Sequence, residues 1–212
     1  MKKILFALSL FLVLGATAQV KDPKATALLD EVSAKIKSYK SIRVEFSYTM
    51  VNKQAKINES KSVTIILSGD KYRLNAAGQT VICDGKTIWT YIKESNEVQI
   101  NSPDNKDDAM TPSKLLTSYN KNYKSKIIKD KNQSDPNMET IELIPNVIKT
   151  INRAILIVDK TKNQVKSFQL FDKSGNVFTY TIQKFLTDIP VSNSDFTFET
   201  AKFPGVEVID MR

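Results

Sequence analysis

The stretch VICDGKTIWTYIKESNEVQIN, residues 81–101, decides the fold, because strand-forming residues and turn residues alternate along it. Asp84-Gly85 is a two-residue hairpin signal, since both residues tolerate the positive φ that matches the twist of flanking strands. Residues 86–92 follow and are rich in the β-branched and aromatic side chains that suit a pleated surface. Residues 94–96 turn the chain again, before a short strand in which apolar and polar residues alternate. The centre of the chain is therefore predicted to be an antiparallel meander.

The same alternation extends outward on both sides of this meander. A long strand precedes it, in which every second residue is apolar: Ile42, Val44, Phe46, Tyr48 and Met50. Such a strand has one apolar face and one solvated face. Other strands are predicted at residues 63–67, 72–74, 80–83, 86–92, 97–101, 124–129, 139–144, 152–159, 164–171, 176–186 and 206–210. About ten consecutive antiparallel strands with one apolar face cannot stay flat, so they must close into a barrel or fold into a sandwich.

Two helices are predicted besides the strands. The first covers roughly residues 23–38, with Asp22 as N-cap and Pro23 at the first helical position. Its apolar residues recur at spacings of three and four, which gives the helix one apolar stripe. The second is short and begins at Thr111-Pro112. The apolar residues in it and just before it lie on one side: Met110, Leu115, Leu116 and Tyr119. A helix of two turns is stable only when docked, so it is either a lid over an open barrel mouth or a plain connector.

The amino-terminal residues 1–18 have the pattern of a secretion signal. Two lysines precede an apolar run that is too short to span a membrane, and Ala16-Thr17-Ala18 is a small-x-small cleavage site. We expect cleavage after Ala18, a mature protein in the periplasm that begins at Gln19, and a single domain over residues 19–212.

The composition argues against catalysis. The chain contains no histidine, which excludes Ser-His-Asp and Cys-His mechanisms and histidine-based metal sites. The acidic residues are scattered, and six glycines form no phosphate-binding loop. Cys83 is the single cysteine, and we expect it to be a small buried hydrophobe rather than a reactive thiol. The sequence therefore predicts no enzyme, no metal and no cofactor.

The formal net charge is +8, and five lysines cluster in one segment: Lys121, Lys124, Lys126, Lys129 and Lys131. A nucleic-acid-binding barrel would use such basic charge together with exposed aromatic side chains. The secretion signal argues against that function, because it removes the protein from the cytosol. The basic segment is interpreted as a solvated face, with docking to anionic headgroups or to an acidic partner as the alternative.

Two motifs resemble those of the LolA-type periplasmic carriers of outer-membrane lipoproteins. The first is D-G-x-x-x-W-x-Y at residues 84–91, followed shortly by Val98-Gln99. The second is Asp195-Phe196-Thr197-Phe198 with the later stretch FPGVEVID, residues 203–210. The resemblance covers nearly the whole mature chain. It implies a mainly β fold, an incomplete antiparallel β-barrel with an amino-terminal amphipathic helix and a short lid helix.

The resemblance also implies a function without chemistry. Carriers of this family collect lipoproteins from an ATP-driven inner-membrane exporter and pass them to an outer-membrane acceptor, and we expect a monomer. Exposing a sixteen-carbon acyl chain to water costs on the order of 12 kcal/mol, at about 0.8 kcal/mol per methylene. A carrier therefore needs an apolar cavity and a cover.

Nine residues are predicted to line this cavity: Phe46, Tyr48, Met50, Ile65, Leu67, Tyr72, Leu74, Trp89 and Tyr91. The predicted lid residues are Met110, Leu115, Leu116 and Tyr119. Taken singly, each of these residues is more consistent with ordinary core packing, and only the whole set together with the resemblance favours a cavity.

One departure from the family pattern concerns its latch. Carriers of this family have an arginine on the strand before the turn that leads to Tyr72, where it ties the lid to the barrel. Ser68 lies near that position here, and Arg43 and Arg73 are not aligned substitutes. Two alternatives remain open on the same fold, a periplasmic binder of another lipid and a non-catalytic interaction scaffold in envelope assembly. A hydrolase that uses carboxylates is a further, weaker alternative.

Overall fold

A computed structural model describes residues 22–103, 123–130, 133–148 and 150–212. These residues form one α-helix, α1 (Pro23–Ser38), two one-turn 3₁₀ helices (Asn193–Phe196 and Thr200–Lys202) and twelve strands. The strands are β1 (Ile42–Asn52), β2 (Ile57–Ser68), β3 (Lys71–Ala76), β4 (Gln79–Cys83), β5 (Ile88–Ile92), β6 (Glu97–Asn101), β7 (Tyr123–Ile128), β8 (Met138–Pro145), β9 (Ile151–Asp159), β10 (Gln164–Asp172), β11 (Val177–Thr187) and β12 (Glu207–Asp210). Among the described residues, no helix is both long and apolar enough to cross a membrane.

All twelve strands belong to one sheet, in the order β12-β6-β5-β4-β3-β2-β1-β11-β10-β9-β8-β7. Neighbouring strands are antiparallel except at one end, where β12 pairs with β6 in parallel. That parallel pair is the exception in an otherwise antiparallel sheet. The sheet is open, since β12 and β7 end the strand order, and the predicted half-open barrel is confirmed at the level of fold class.

The helix α1 begins where the sequence predicts. The Asp22 carboxylate accepts the backbone N–H groups of Lys24 (2.9 Å) and Ala25 (3.4 Å), and Pro23 occupies the first turn. These contacts satisfy amide groups that have no partner inside the helix. The stripe Ala25, Leu29 and Val32 is fully buried, so α1 lies with one face on the sheet.

The sheet has two faces, and different segments cover them. We call the face under α1 the inner face, where the helix packs against β7 to β10 through Leu143, Leu156 and their neighbours. A second inner cluster lies on β1 to β4 and meets the first at Ile36 and Ile182. On the other side, the outer face, the carboxy-terminal segment packs Phe198 onto Ile82 and Val98.

One predicted turn has a different geometry. The chain between β4 and β5 is a four-residue turn, 84–87, rather than a two-residue hairpin at Asp84-Gly85. The Asp84 carboxylate accepts the N–H groups of Lys86 and Thr87, both at 2.8 Å, and Gly85 has φ +95°. This acceptor stabilises the longer turn, so the strand predicted over residues 86–92 begins at Ile88.

Candidate ligand-binding face

Burial falls along the inner face from one end of the sheet to the other. At the start of β1, Ile42 and Val44 are each 4% exposed, whereas Phe46, Tyr48 and Met50 further along are only half-buried. The half-buried end is the one where β1 turns into β2 and β10 turns into β11, and we call it the turn end. The inner face is therefore a packed core at one end and a partly exposed apolar surface at the turn end.

This partly exposed surface is mainly aromatic and spans three adjacent strands, β1, β11 and β10. The strand register places Tyr48 opposite Tyr180, and Tyr180 opposite Phe168. We call the set the aromatic surface, and its members are Phe46, Tyr48, Met50, Phe168, Leu170, Phe178 and Tyr180.

Ring contacts hold the aromatic surface together. Phe168 and Tyr180 are stacked with centroids 4.3 Å apart and planes at 10°. Tyr48 lies 5.2 Å from Tyr180 and 6.3 Å from Phe178, and Phe46 lies 5.9 Å from Tyr180. Burial, with a smaller contribution from the neighbouring Tyr48, raises the pKa of Tyr180 above its ordinary value of 10.0. Aromatic pairs of this kind contribute about 0.5–1.5 kcal/mol each beyond the area that they bury, so they stabilise the arrangement of these side chains.

Four other predicted lining residues lie on the inner face beside the aromatic surface. Ile65, Leu67 and Tyr72 are buried in one inner-face cluster together with Ile42 and Val44, and Leu74 packs half-buried against it. They share the inner face with Phe46, as predicted. Their burial makes them core in this structure, and contact with a ligand stays a prediction for them.

Trp89 and Tyr91 do not share this face. The register pairs Trp89 with Ile82 and Tyr91 with Val98, which turns both side chains to the outer face. There Tyr91 packs against Phe203 (4.6 Å between centroids) and donates its hydroxyl to Asn96 Oδ1 at 3.1 Å. The prediction that these two residues line the inner surface is corrected by the register of β5.

The predicted lining residues include none from β10 and β11, although both strands were predicted. Phe168 and Leu170 are separated by one polar residue on β10, and so are Phe178 and Tyr180 on β11. The same period-two pattern that selected Phe46 on β1 was therefore available for these four residues.

The three residues compared above with the family latch lie away from the inner surface: Ser68, Arg43 and Arg73. Ser68 donates its hydroxyl to the Lys40 carbonyl at 3.2 Å. Arg43 pairs with Glu45 at 3.0 Å on the outer face, and the Arg73 Nε donates to the Asp195 carbonyl at 2.6 Å. Both arginines therefore lie on the outer face and have partners there. The predicted lid residues Met110, Leu115, Leu116 and Tyr119 lie outside the described residues, as do residues 1–18 of the predicted signal.

A cavity of about 200 Å³ lies on the outer face, beneath the carboxy-terminal segment. Its lining includes Arg73, Glu199 and Lys202 beside the rings of Tyr91 and Phe198. Because charged side chains line part of it, this cavity is a poor host for an acyl chain.

Three further features concern the described residues: the thiol, the potential metal ligands and the basic segment. Cys83 is 3% exposed, and burial raises the pKa of its thiol, in accordance with the expected buried hydrophobe. The described residues contain no group of three or more side chains that could hold a metal. Within the basic segment, Lys124, Lys126 and Lys129 are all exposed, which agrees with a solvated face.

The amino-acid sequence matches a known protein family. A family model described as "Outer membrane lipoprotein carrier protein LolA" matches residues 37–199. An outer-membrane lipoprotein carrier protein of Coxiella burnetii is 21% identical over 209 residues, which are 97% of this chain and 95% of that protein.

Solved structures resemble the fold at low sequence identity. An uncharacterized conserved protein from Thermus thermophilus superposes with a TM-score of 0.57 at 11% identity, over 88% of this chain and 99% of that one. A LolA superfamily protein from Nitrosomonas europaea gives a TM-score of 0.44 at 11% identity, over 82% of this chain and 97% of its own. The first of these comparisons supports the open-sheet architecture and nothing beyond the fold.

Proposed function

Because the chain belongs to the LolA family of outer membrane lipoprotein carrier proteins, we propose that it shelters lipoprotein acyl chains and ferries them from the inner to the outer membrane. Members of the family are periplasmic and non-catalytic, and they bind lipoproteins. The expectation that the protein is not an enzyme is thereby confirmed. The proposal concerns the route between the two membranes and the surface that holds the cargo.

The half-buried aromatic surface at the turn end is the observation that supports this proposal best. In proteins Val and Phe are among the residues that are most often fully buried, and Tyr is intermediate. On β1 burial instead stops between Val44 and Phe46, although the apolar alternation continues to Met50. An apolar surface that is aligned across three strands and left partly open has room for a flexible aliphatic ligand.

The same surface accounts for release of the cargo. Each buried methylene contributes about 0.8 kcal/mol, so partial cover of an acyl chain offsets its cost in water in proportion to the number of methylenes that are buried. The members of the surface are aromatic or aliphatic, and the neighbouring cation Lys61, opposite Tyr48, is paired with Glu59 at 3.4 Å. Binding through apolar contact alone lets the cargo leave when an acceptor offers a better apolar environment.

The partners of the carrier follow from the family. We propose that an inner-membrane exporter complex loads the protein and that an outer-membrane acceptor unloads it, with the carrier acting as a monomer. The secretion signal, with cleavage after Ala18, would deliver the chain to the compartment where both partners face it.

Two neighbouring residues on β1 give a sharp test. Tyr48 belongs to the aromatic surface on the inner face, and Thr49 lies on the outer face. Across the strands Tyr48 stands opposite Lys61, so the glutamate of Tyr48→Glu gains a cation partner and the variant should fold. Tyr48→Glu should reduce co-purification of an acylated lipoprotein at least tenfold, whereas Thr49→Glu should leave it unchanged.

The cargo of the purified protein separates the proposal from its alternative. Mass spectrometry of bound material should find lipoprotein, and a lipoprotein whose lipidated cysteine is replaced by serine should not bind. Finding only free phospholipid or fatty acid would instead identify a binder of another lipid. If both variants carry cargo as well as the parent, the aromatic surface is not the binding site.

A further inference from the structure

Three hairpin turns at the turn end form one continuous edge. They are residues 53–56 between β1 and β2, the described residues 146–148 and 150 between β8 and β9, and residues 173–176 between β10 and β11. We call this set the three-turn edge. It borders the half-buried aromatic surface, because Met50 lies near the end of β1, which enters the turn 53–56, and Phe178 lies near the start of β11, which leaves the turn 173–176.

Hydrogen bonds join the three turns side by side. The Asn52 side-chain amide donates to the Ser174 carbonyl (3.2 Å) and to Asn176 Oδ1 (2.7 Å). On the other side, Lys173 donates its backbone N–H to the Thr150 carbonyl (3.2 Å) and its Nζ to the Ile148 carbonyl (3.3 Å). The middle turn therefore holds its two neighbours in fixed positions.

The edge combines two features that are seldom found together on a soluble surface. Val147 is 70% exposed and Ile148 is 51% exposed, among the most exposed large apolar residues that the structure describes. Around them the exposed cations are Lys53, Lys56 and Lys173. Aliphatic side chains at a protruding tip, surrounded by lysines, match the interface of a membrane that contains anionic lipids.

The acidic charge of the three turns is directed inward. Asp172 is the one acidic residue among the described residues of these turns and the positions that flank them. Its carboxylate accepts the backbone N–H groups of Ser174 and Asn176, both at 2.8 Å, as well as the Asn176 side-chain amide at 2.7 Å. The charge presented outward by the edge is therefore positive.

We propose that the three-turn edge docks on the surface of a membrane containing anionic lipids, with Val147 and Ile148 inserted among the headgroups. The lysines supply attraction to the headgroups, and the two aliphatic side chains supply the apolar anchor. The inference deepens the proposed function, because docking in this orientation turns the aromatic surface toward the lipid from which cargo must come or to which it must go. An acidic protein partner would use the lysines but would leave Val147 and Ile148 without a role.

Vesicle flotation with the cargo-free protein tests the proposal. The parent should float with vesicles of phosphatidylglycerol and phosphatidylethanolamine and bind much less to vesicles of phosphatidylcholine alone. Raising the salt from about 0.05 M to about 0.5 M should weaken this binding. The double variant Val147→Ser/Ile148→Ser and the double variant Lys53→Glu/Lys56→Glu should each reduce it roughly tenfold or more.

Matched variants away from the edge serve as controls. Val208→Ser/Met211→Ser removes two comparably exposed apolar residues, and Lys86→Glu/Lys162→Glu reverses two exposed lysines at the opposite end of the sheet. Both controls should bind vesicles like the parent.

Several outcomes would overturn the proposal. They are absence of vesicle binding by the parent, equal loss in the controls, and retention by the variant that lacks Val147 and Ile148. If only Lys53→Glu/Lys56→Glu loses vesicle binding and the parent captures an acidic protein, the three-turn edge is instead a binding site for that protein. Tyr48→Glu should still float with vesicles, so failure of cargo binding and failure of membrane docking remain distinguishable.

Discussion

A single aspartate joins the helix to one edge of the sheet. Besides capping α1, the Asp22 carboxylate accepts the Ile127 N–H at 3.2 Å, and the Asp22 backbone N–H donates to the Ser125 carbonyl at 3.0 Å. The Thr26 and Ser125 hydroxyls add a further contact at 3.3 Å. Strand β7 ends the strand order, and unpaired edge strands invite pairing with other chains. Asp22 therefore starts the helix and blocks part of an exposed edge.

This dual role predicts a local sensitivity to acid. The hydrogen bond from Ile127, followed by those from Lys24 and Ala25, outweighs burial and lowers the pKa of Asp22 below its ordinary value of 3.8. A carboxyl group with a lowered folded-state pKa stabilises the fold above its unfolded pKa, and this contribution disappears as the pH falls through the folded value. Asp22→Asn should lower Tm by a few degrees at pH 7.

The difference in Tm between Asp22→Asn and the parent, measured from pH 7 down to pH 3, checks this prediction. It should shrink once the pH is below about 4, because the parent then loses the same charge. Glu94→Gln, which removes an exposed turn carboxylate, provides the control and should show no such pattern. A constant difference across the whole range would mean that the charge of Asp22 is irrelevant and that only its capping geometry counts.

The carboxy-terminal segment acts as an element that closes the outer face. Phe198 is buried and stacks on Phe203 with centroids 4.5 Å apart, and both rings contact Tyr91. The Arg73 Nε holds the segment through the Asp195 carbonyl at 2.6 Å. The two motifs that carry the family resemblance therefore pack against each other, and they do so on the face opposite α1.

Removing this contact should cost stability and leave the ligand surface intact. Phe198→Ala should lower the free energy of unfolding by about 3–5 kcal/mol, as for other buried aromatic residues. Urea denaturation measures the change, and the exposed Val208→Ala should alter stability by less than about 0.5 kcal/mol. Folded Phe198→Ala protein should still bind acylated lipoprotein. Loss of cargo without loss of stability would place the binding site on the outer face.

At the scale of the whole molecule, the element order was predictable and one choice of face was missed. Capping at Asp22 and apolar spacing locate α1, and period-two alternation locates the strands, because both patterns arise from local geometry. The assignment of Trp89 failed because a face depends on register carried through several turns. With either a two-residue or a four-residue turn at Asp84, the same residues of β5 face the inner side, and Trp89 lies on the face opposite to Tyr72. Counting residues through the turns therefore gives the correct face of Trp89.

Other features of the site lay beyond sequence reasoning. Alternation gives the face of Phe46 and Val44 alike, yet only packing from distant elements decides that one is half-buried and the other is core. The parallel pairing of β12 with β6 is likewise a long-range contact, since the five strands β7 to β11 lie between them in the chain. Local patterns carry no information about either feature.

The partly open inner face predicts how the whole molecule responds to a ligand. A ligand that binds the folded state alone stabilises it by about 2.7 kcal/mol at a hundredfold excess over Kd. For a chain of this size that corresponds to a rise in Tm of roughly 5–10 °C. A single-chain lysophospholipid, kept below the concentration at which it forms micelles, should produce this rise in the parent and in Thr49→Glu. Differential scanning fluorimetry checks it.

The same measurement on Tyr48→Glu links the rise in Tm to the aromatic surface. That variant should melt without a ligand-dependent shift, because a charge within the surface removes the apolar contact on which binding depends. An equal shift in Tyr48→Glu and in the parent would show that the lipid binds elsewhere, for instance in the outer-face cavity beside Tyr91. No shift in either protein would mean that the aromatic surface does not accept a single aliphatic chain, and the half-buried rings would then be core that is incompletely covered.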